Sequence, residues 1–142
     1  MRIDKTTYEE SVAYARTFCS GLLVDVLDWN VQNGETFHDC SVTELHVQQK
    51  DPFAARTVTL TVLGAHWDRE YILEFSDVLD CRFNGLQIPP GQNVSSLLFE
   101  PSSEKRKCRI HFLGTDNFAE LEFSKIAFQK RMLAKPIARR MG

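Results

Sequence analysis

The chain has 142 residues, of which 43% are hydrophobic and 25% are charged, a composition typical of a soluble globular domain. This length predicts one domain over residues 1–142. A domain of this size buries enough surface to be stable without disulfides or a structural metal. We therefore predict neither a bound metal nor a cofactor.

The charges are distributed unevenly along the chain. The net charge is −2, but residues 1–122 hold all 19 acidic residues against 11 basic ones, and the remaining residues carry only basic charges. An acidic body repels anionic membranes and nucleic-acid phosphates and attracts basic proteins. We therefore predict a basic protein partner, no membrane binding and no nucleic-acid partner, with residues 129–142 as a frayed basic tail.

The amino terminus and the cysteines predict the compartment. Charged residues stand where a signal peptide has its apolar segment, which argues against secretion. The four cysteines lie far apart in the sequence and form no CxxC pair, so the spacing typical of a zinc ribbon or a thioredoxin-like site is absent from the sequence. We predict a cytoplasmic protein whose cysteines are buried thiols.

The amino-terminal segment has a helical period. Its apolar residues recur every three or four positions and form one stripe: Tyr8, Val12, Ala15, Phe18, Cys19 and Leu22. Gly21 ends this helix or bends it, because apolar residues resume a helical spacing after it. The segment therefore predicts one or two helices.

From Phe37 onward the period changes to two, which predicts strands. In "RTVTLTVL" the side chains of Val58, Leu60 and Val62 share one face and threonines share the other, a half-buried pattern. About six such segments follow one another, joined by turns and without helical crossovers. The predicted fold class is α+β, mostly β: an antiparallel meander sheet of about six strands with one or two amino-terminal helices packed against it.

One of these segments is interrupted. In "EYILEFSDVLDCRFNG" the alternation breaks at the "SDV" around Asp77. The break predicts either one long strand with a bulge or two short strands.

The triplet His38-Asp39-Cys40 opens the first strand. On a regular strand, four potential zinc ligands would share one face: His38, Cys40, Glu44 and His46. Eight strand residues span roughly 26 Å, however, which exceeds one coordination sphere. We therefore interpret the triplet as structural, with Phe37 in the core and Cys40 buried. In this interpretation His38 or Asp39 bonds to the backbone where the strand begins.

A second candidate lies in the loop between two predicted strands. His66, Trp67 and Asp68 could form a recognition tip, because an exposed tryptophan is a common binding anchor. In the alternative, the tryptophan folds back over the edge of the sheet.

Carboxylates form a third candidate. Asp77 and Asp80 could join Asp39 in a cluster for acid/base chemistry. The alternative is that they are scattered and solvated, because no catalytic motif accompanies them. We predict no catalytic residue, and the candidate binding residues are His38, Asp39, His66, Trp67, Asp68, Asp77 and Asp80.

Three segments together carry a resemblance to a known family. "VLDWNVQNGETFHDCSV", "LEFSDVLDCRFNG" and "AELEFSKIAF" resemble small bacterial immunity proteins of polymorphic toxin systems, in particular the immunity protein 50 group. His38, Asp39, Asp77 and Val78 match its "FHD" and "F-x-DV" steps. The resemblance implies a meander fold and a protein that binds and neutralises a cognate toxin without chemistry of its own.

Three functional hypotheses follow. The first is a non-enzymatic cytosolic module that binds a protein partner through an acidic surface. The second is a small metal-dependent hydrolase that uses His38, Asp39 and Cys40 with His66 or His111. The third is a module whose basic tail contacts nucleic acid. Self-association through apolar residues near the carboxyl terminus is compatible with the first hypothesis: Ile126, Phe128, Met132, Leu133 and Ile137.

Overall fold

The computed structural model describes residues 5–27, 37, 40–49, 51–64, 68–84, 93–100, 106–112 and 118–133. This part of the chain forms two helices, α1 (Lys5–Ala15) and α2 (Gly21–Leu27), and eight strands. The strands are β1 (Ser41–Gln48), β2 (Arg56–Leu63), β3 (Arg69–Val78), β4 (Asp80–Asn84), β5 (Val94–Phe99), β6 (Arg106–Phe112), β7 (Phe118–Phe123) and β8 (Lys125–Met132). The predicted fold class, α+β and mostly β, is confirmed. Neither described helix combines the length and the apolar character needed to cross a membrane.

The strands form two antiparallel four-stranded sheets. Sheet A has the order β1-β2-β3-β8, and sheet B has the order β4-β7-β6-β5. Only Leu79 separates β3 from β4, and only Ser124 separates β7 from β8. Because β3 pairs with β8 and β4 pairs with β7, one long strand pair passes from sheet A into sheet B. A bridge between Ser41 and Asn93 links β1 to the start of β5.

This arrangement divides the predicted meander into two parts. β1, β2 and β3 are neighbours in sequence and in space, and so are β5, β6 and β7. β4 and β5 are consecutive in sequence but lie at opposite edges of sheet B. The sheet divides because the long strand pair bends where β3 meets β4.

The backbone at Asp77 marks this bend. Asp77 has a φ of 54°, in the left-handed region that few residues other than glycine adopt. Opposite this point the ladder between β2 and β3 shifts between Arg56 and Val58. The Leu79 amide then donates to the Glu122 carbonyl at 2.9 Å, which starts the pairing of sheet B. The predicted interruption at "SDV" is confirmed, as two strands in different sheets.

The positive φ at Asp77 leads to a stability prediction. We expect Asp77→Gly to be more stable than Asp77→Ala by about 1 kcal/mol, because alanine has a Cβ that clashes in the left-handed region and glycine does not. Urea unfolding measures the difference. Glu74, exposed on the same strand, provides the control, and its alanine variant should unfold close to the wild type. Equal stability of the two Asp77 variants would show that the bend does not need this conformation.

The core lies between the two sheets. Val58, Leu60 and Val62 on β2 are at most 2% exposed, as the alternation predicted. The same alternation continues in the other strands and completes the core, which includes Tyr71, Leu73, Phe75, Cys108, Ile110, Phe112, Ala119, Leu121 and Phe123. Burial of these side chains is the main stabilising contribution to the fold.

Aromatic rings join the layers at Phe123 on β7. Its ring centroid lies 5.0 Å from that of Phe75, on sheet A, and 6.1 Å from that of Phe99, on sheet B. Phe18, in the segment after α1, lies 6.2 Å away. Phe123 therefore contacts an aromatic side chain from each part of the fold.

Helix α1 covers the edge of sheet B. The Phe99 amide donates a 2.8 Å hydrogen bond to the Ser11 Oγ, which is buried. This bond satisfies an amide of β5 that has no partner in another strand of the described residues. Beyond the helix, the Phe18 ring packs edge-on against Phe99 and lies 4.6 Å from the Arg106 guanidinium. The predicted packing of amino-terminal helices against the sheet is confirmed.

Two local expectations differ from the structure. The register of β1 shifts between Val42 and Glu44, so Thr43, expected on the buried face, is exposed. The Thr43 hydroxyl donates to the Thr61 carbonyl at 3.1 Å instead. Residues 129–132, expected at the start of a frayed tail, form the end of β8 and pair with β3.

Candidate functional site

Four of the predicted binding residues lie outside the described part of the chain: His38, Asp39, His66 and Trp67. Their proposed roles stay predictions. The residues beside His38 and Asp39 are described and agree with the structural interpretation. Phe37 is 3% exposed and its ring lies 5.6 Å from that of Tyr71, and Cys40 is fully buried.

The three described carboxylates of the predicted set do not form one cluster. Asp68 immediately precedes β3 and forms an ion pair with Arg69 at 2.7 Å. Asp77 lies at the other end of β3, roughly 30 Å away along an extended strand. Asp80 follows the bend and lies 3.5 Å from Arg82. Asp77 and Asp80 are thus neighbours at the bend, and Asp68 is remote from both.

The structure also separates residues of the metal-site hypothesis. Because of the shift at Thr43, Glu44 and His46 share the outer face of sheet A, whereas Cys40 belongs to the core. His111 lies on the outer face of sheet B, opposite Ser96 and Phe118. Within the described ranges, no group of three histidine, cysteine, aspartate or glutamate side chains is close enough to hold a metal ion.

All four cysteines are present as thiols and none forms a disulfide. Cys40 and Cys108 are buried, and Cys19 and Cys81 are half-buried. Burial raises the pKa of Cys19 to about 12 and also raises the pKa of Cys81 and Cys108. Raised pKa values keep these three thiols protonated and weakly nucleophilic at neutral pH.

The outer face of sheet B carries a compensated charge network centred on Glu120. Arg109 donates to the Glu120 Oε2 from Nε at 3.1 Å and from Nη2 at 2.7 Å. Lys107 Nζ and Arg82 Nη2 lie 3.6 Å and 3.8 Å from the Glu120 Oε1. The Arg109 guanidinium also lies 4.4 Å from the centroid of the Phe118 ring. Glu120 is only 7% exposed, because these cations cover its carboxylate.

The surroundings shift two pKa values in this network. Burial alone would raise the pKa of Glu120, but the Arg109 hydrogen bond and the charges of Lys107, Arg109 and Arg82 outweigh it and lower the pKa. Burial, together with the charge of Arg109, lowers the pKa of His111. At neutral pH Glu120 is therefore ionised and His111 is neutral, so the network consists of carboxylates and fixed cations.

The outer face of sheet A is different in chemistry. We define the sheet A face as the outward residues of β1, β2, β3 and β8, which are Glu44, His46, Gln48, Thr57, Thr59, Thr61, Leu63, Glu70, Ile72, Glu74, Ser76, Lys125, Ala127, Gln129 and Arg131. Residues opposite each other in an antiparallel pair share a face, and the buried partners Val58, Leu60 and Val62 identify the other side as the core. The β2 row of this face consists of the short side chains of Thr57, Thr59 and Thr61 and ends at Leu63.

Two carboxylates on the sheet A face have no cation opposite them. Glu44 lies opposite Thr61, and Glu74 lies opposite Thr59 and Ala127. Both are exposed, and neither forms an ion pair with another residue in the described ranges. At the end of the face, Glu70 is neutralised by an ion pair with Arg131. The sheet A face carries three carboxylates and two cations, Lys125 and Arg131, so Glu44 and Glu74 keep an unpaired negative charge, whereas Glu120 on sheet B is surrounded by three cations.

The sequence indicated part of this site. The threonine face of β2 was predicted by alternation, and Glu44 and His46 were considered only as zinc ligands. Glu74 was missed, although its position opposite the threonine face follows once β3 pairs with β2. Glu120 was not singled out, because the three cations that surround its carboxylate come from strands that are distant in sequence.

Comparisons with known proteins found no match to this chain. No family model matches the chain, and no curated protein or solved structure matches it significantly.

Proposed function

We propose that this protein is a non-enzymatic binding module that holds a basic protein partner against the sheet A face. The observation that carries the proposal is the uncompensated charge of Glu44 and Glu74. A carboxylate that is already paired gives little attraction to a partner, whereas exposed unpaired carboxylates steer a cationic surface toward them and then bond with it.

The geometry of the sheet A face supports this role. Thr59 and Thr61 on β2 lie between the strands of the two carboxylates, and their hydroxyl groups can donate or accept hydrogen bonds. Ile72 adds a half-buried apolar contact at the centre of the face. Burial of the threonines against a partner has a low entropic cost, since a β-branched side chain loses little rotamer freedom.

The resemblance to the immunity protein 50 group suggests what the partner is. In that case the basic partner would be a toxin, and binding alone would neutralise it. We propose a cytoplasmic location, which the four cysteines present as thiols support, because disulfides are rare in a reducing compartment.

The test uses the product of the gene adjacent to the one that encodes this chain. We expect it to form a complex with the purified protein, with an association rate that falls steeply as salt increases. The double variant Glu44→Lys/Glu74→Lys should associate on the order of tenfold more slowly and with little salt dependence. Stopped-flow or surface-based kinetics measure both quantities.

The matched control is Glu9→Lys/Glu10→Lys, which makes the same change of charge on two exposed residues of α1. It should keep most of the wild-type association rate, since the charges lie away from the sheet A face. Equal loss in both double variants would mean that only net charge matters. Stoichiometric zinc or iron in the purified protein would overturn the proposal in favour of metal chemistry.

A further inference from the structure

Strand β1 has an open edge. Beyond the bridge from Ser41 to Asn93, the outward edge of residues 44–48 has no strand partner among the described residues. Glu44, His46, Val47 and Gln48 are exposed along it, and Val47 is 46% exposed although its side chain belongs to the inward row. A row of unpaired amides and carbonyls is a template for another strand.

The other sheet edges have features that prevent such pairing. Helix α1 covers the edge of β5 through the Ser11 hydrogen bond. β8 carries several basic residues, and β4 has only five residues, of which Asp80 and Arg82 are charged. Charged side chains, short length and helical cover are the usual protections of an edge. Residues 44–48 contain neither proline nor lysine and carry one charged residue, Glu44, so among the described edges this one has the fewest of these protections.

We propose that β1 pairs in antiparallel fashion with β1 of a second copy, about a two-fold axis at His46, and that the protein is a homodimer. The regular part of the strand runs from Glu44 to Gln48, after the irregularity at Thr43, and His46 is its midpoint. An axis at the midpoint pairs all five residues of the regular part with those of the second copy. An axis at another residue would pair Thr43, where the register is irregular, or residues beyond the end of β1.

This register is self-complementary. It places Leu45 opposite Val47 of the second copy, both in the inward row, and it buries the exposed part of Val47. On the outer side it places Glu44 opposite Gln48, so no like charges face each other. A slip of one residue would oppose inward apolar side chains to outward polar ones, which sheets avoid.

An exposed aromatic residue lies in the loop that follows β1. Phe53, in the loop between β1 and β2, is 98% exposed. The loop is held by hydrogen bonds from the Phe53 amide to the Asp51 Oδ1 at 2.8 Å and from the Gln49 Nε2 to the Ala54 carbonyl at 2.9 Å. In an antiparallel pair this loop extends beside the start of β1 in the second copy. Phe53 would then pack against the second copy, whereas in the monomer it is exposed to solvent.

Pairing would also join two sheet A faces into one continuous surface. One face of four strands, each eight to ten residues long, measures roughly 550 Å². A typical protein interface takes about 800 Å² from each partner, which two joined faces supply. The enlarged face matters only under the proposed function, whereas the edge pairing stands on β1 itself.

The test measures mass and cross-linking of the full chain. Sedimentation or light scattering over a series of concentrations should show a species of twice the 16.3 kDa chain mass. His46→Cys should form a disulfide-linked dimer under mild oxidation, because directly opposed residues in an antiparallel pair have Cα atoms about 4.5–5.5 Å apart, within the range for a disulfide. Glu74→Cys, on the same face but two strands from the edge, should stay uncrosslinked.

A second variant tests the edge without a new thiol. Val47→Lys should raise the dimer dissociation constant by on the order of tenfold or more, because it places a charge among the inward side chains where the two β1 strands pair. Met132→Lys makes the same change at another exposed apolar residue, on β8, and should leave the dimer intact. A monomeric mass at every concentration, or equal cross-linking of the two cysteine variants, would overturn the dimer. Neither result would affect binding of a basic partner by the sheet A face of a monomer.

Discussion

Replacement of Phe123 by alanine is expected to destabilise the protein by about 3–5 kcal/mol, the range for a fully buried phenylalanine. Phe123 is 2% exposed, and its ring contacts Phe18, Phe75 and Phe99, which come from the helical segment and from both sheets. The cavity would lie where the two sheets meet, so the surrounding structure has little freedom to collapse into it. Urea or thermal unfolding measures the loss.

The control for this prediction is Phe53→Ala. It removes the same side chain from a position that is 98% exposed, so the free energy of unfolding of the monomer should change by less than about 0.5 kcal/mol. Similar losses at the two positions would contradict the assignment of Phe123 as the residue that joins the layers. Unfolding should be followed at a low protein concentration, because Phe53 also lies beside the proposed dimer edge.

Glu120→Ala is expected to destabilise the protein by about 2 kcal/mol at neutral pH. The substitution leaves Arg109, Lys107 and Arg82 without the carboxylate that they surround, and like charges then repel one another. The cost is lower than for a fully buried ion pair because the cations are partly exposed to solvent, with Arg82 68% exposed. Glu122→Ala is the control, since Glu122 lies on the same strand and its carboxylate forms one ion pair among the described residues, with Lys107 at 3.7 Å.

The Glu120 prediction extends to pH dependence. The pKa of Glu120 is lowered from its ordinary value of 4.5, so the folded state favours the ionised form. This contribution to stability is fully present above the pKa of the unfolded chain and is lost as the pH falls through the lower pKa of the folded state. Wild type and Glu120→Ala should therefore differ most near neutral pH and approach each other below about pH 4.5. A difference that stays constant into acid would show that the charge of Glu120 is not what stabilises the fold.

Much of the fold could be predicted from periodicity, because periodicity reports which side of an element is buried. The alternation of Val58, Leu60 and Val62 with threonines predicted both faces of β2. The helical stripe predicted one or two helices, but the break was expected at Gly21, whereas α1 ends at Ala15 and Gly21 begins α2. The interruption at "SDV" predicted that β3 would break near Asp77. Each of these signals is local, within one segment of chain.

The irregularity at Thr43 is a feature that local sequence patterns did not predict. Alternation counted from Phe37 placed Thr43 inside, and a single inserted residue reversed that assignment for the start of β1. A bulge depends on the register with β2, including the bond from the Thr43 hydroxyl to the Thr61 carbonyl. The zinc-ligand hypothesis relied on the same alternation, and the irregularity separates Cys40, in the core, from Glu44 and His46 on the outer face.

The amino-acid sequence by itself determined the class of fold, the burial of each strong strand and the acidic character of the body, because these follow from residue type and period. Only the tertiary structure decided that the sheet divides and that β4 pairs with β7. It also decided which carboxylates are exposed without a cation beside them. Glu120 and Glu74 look alike in sequence, each between apolar neighbours on a strand. Glu120 is neutralised by Arg82, Lys107 and Arg109 from neighbouring strands, and Glu74 has threonine and alanine opposite it. The difference arises from strand pairing between distant segments, which no local pattern encodes.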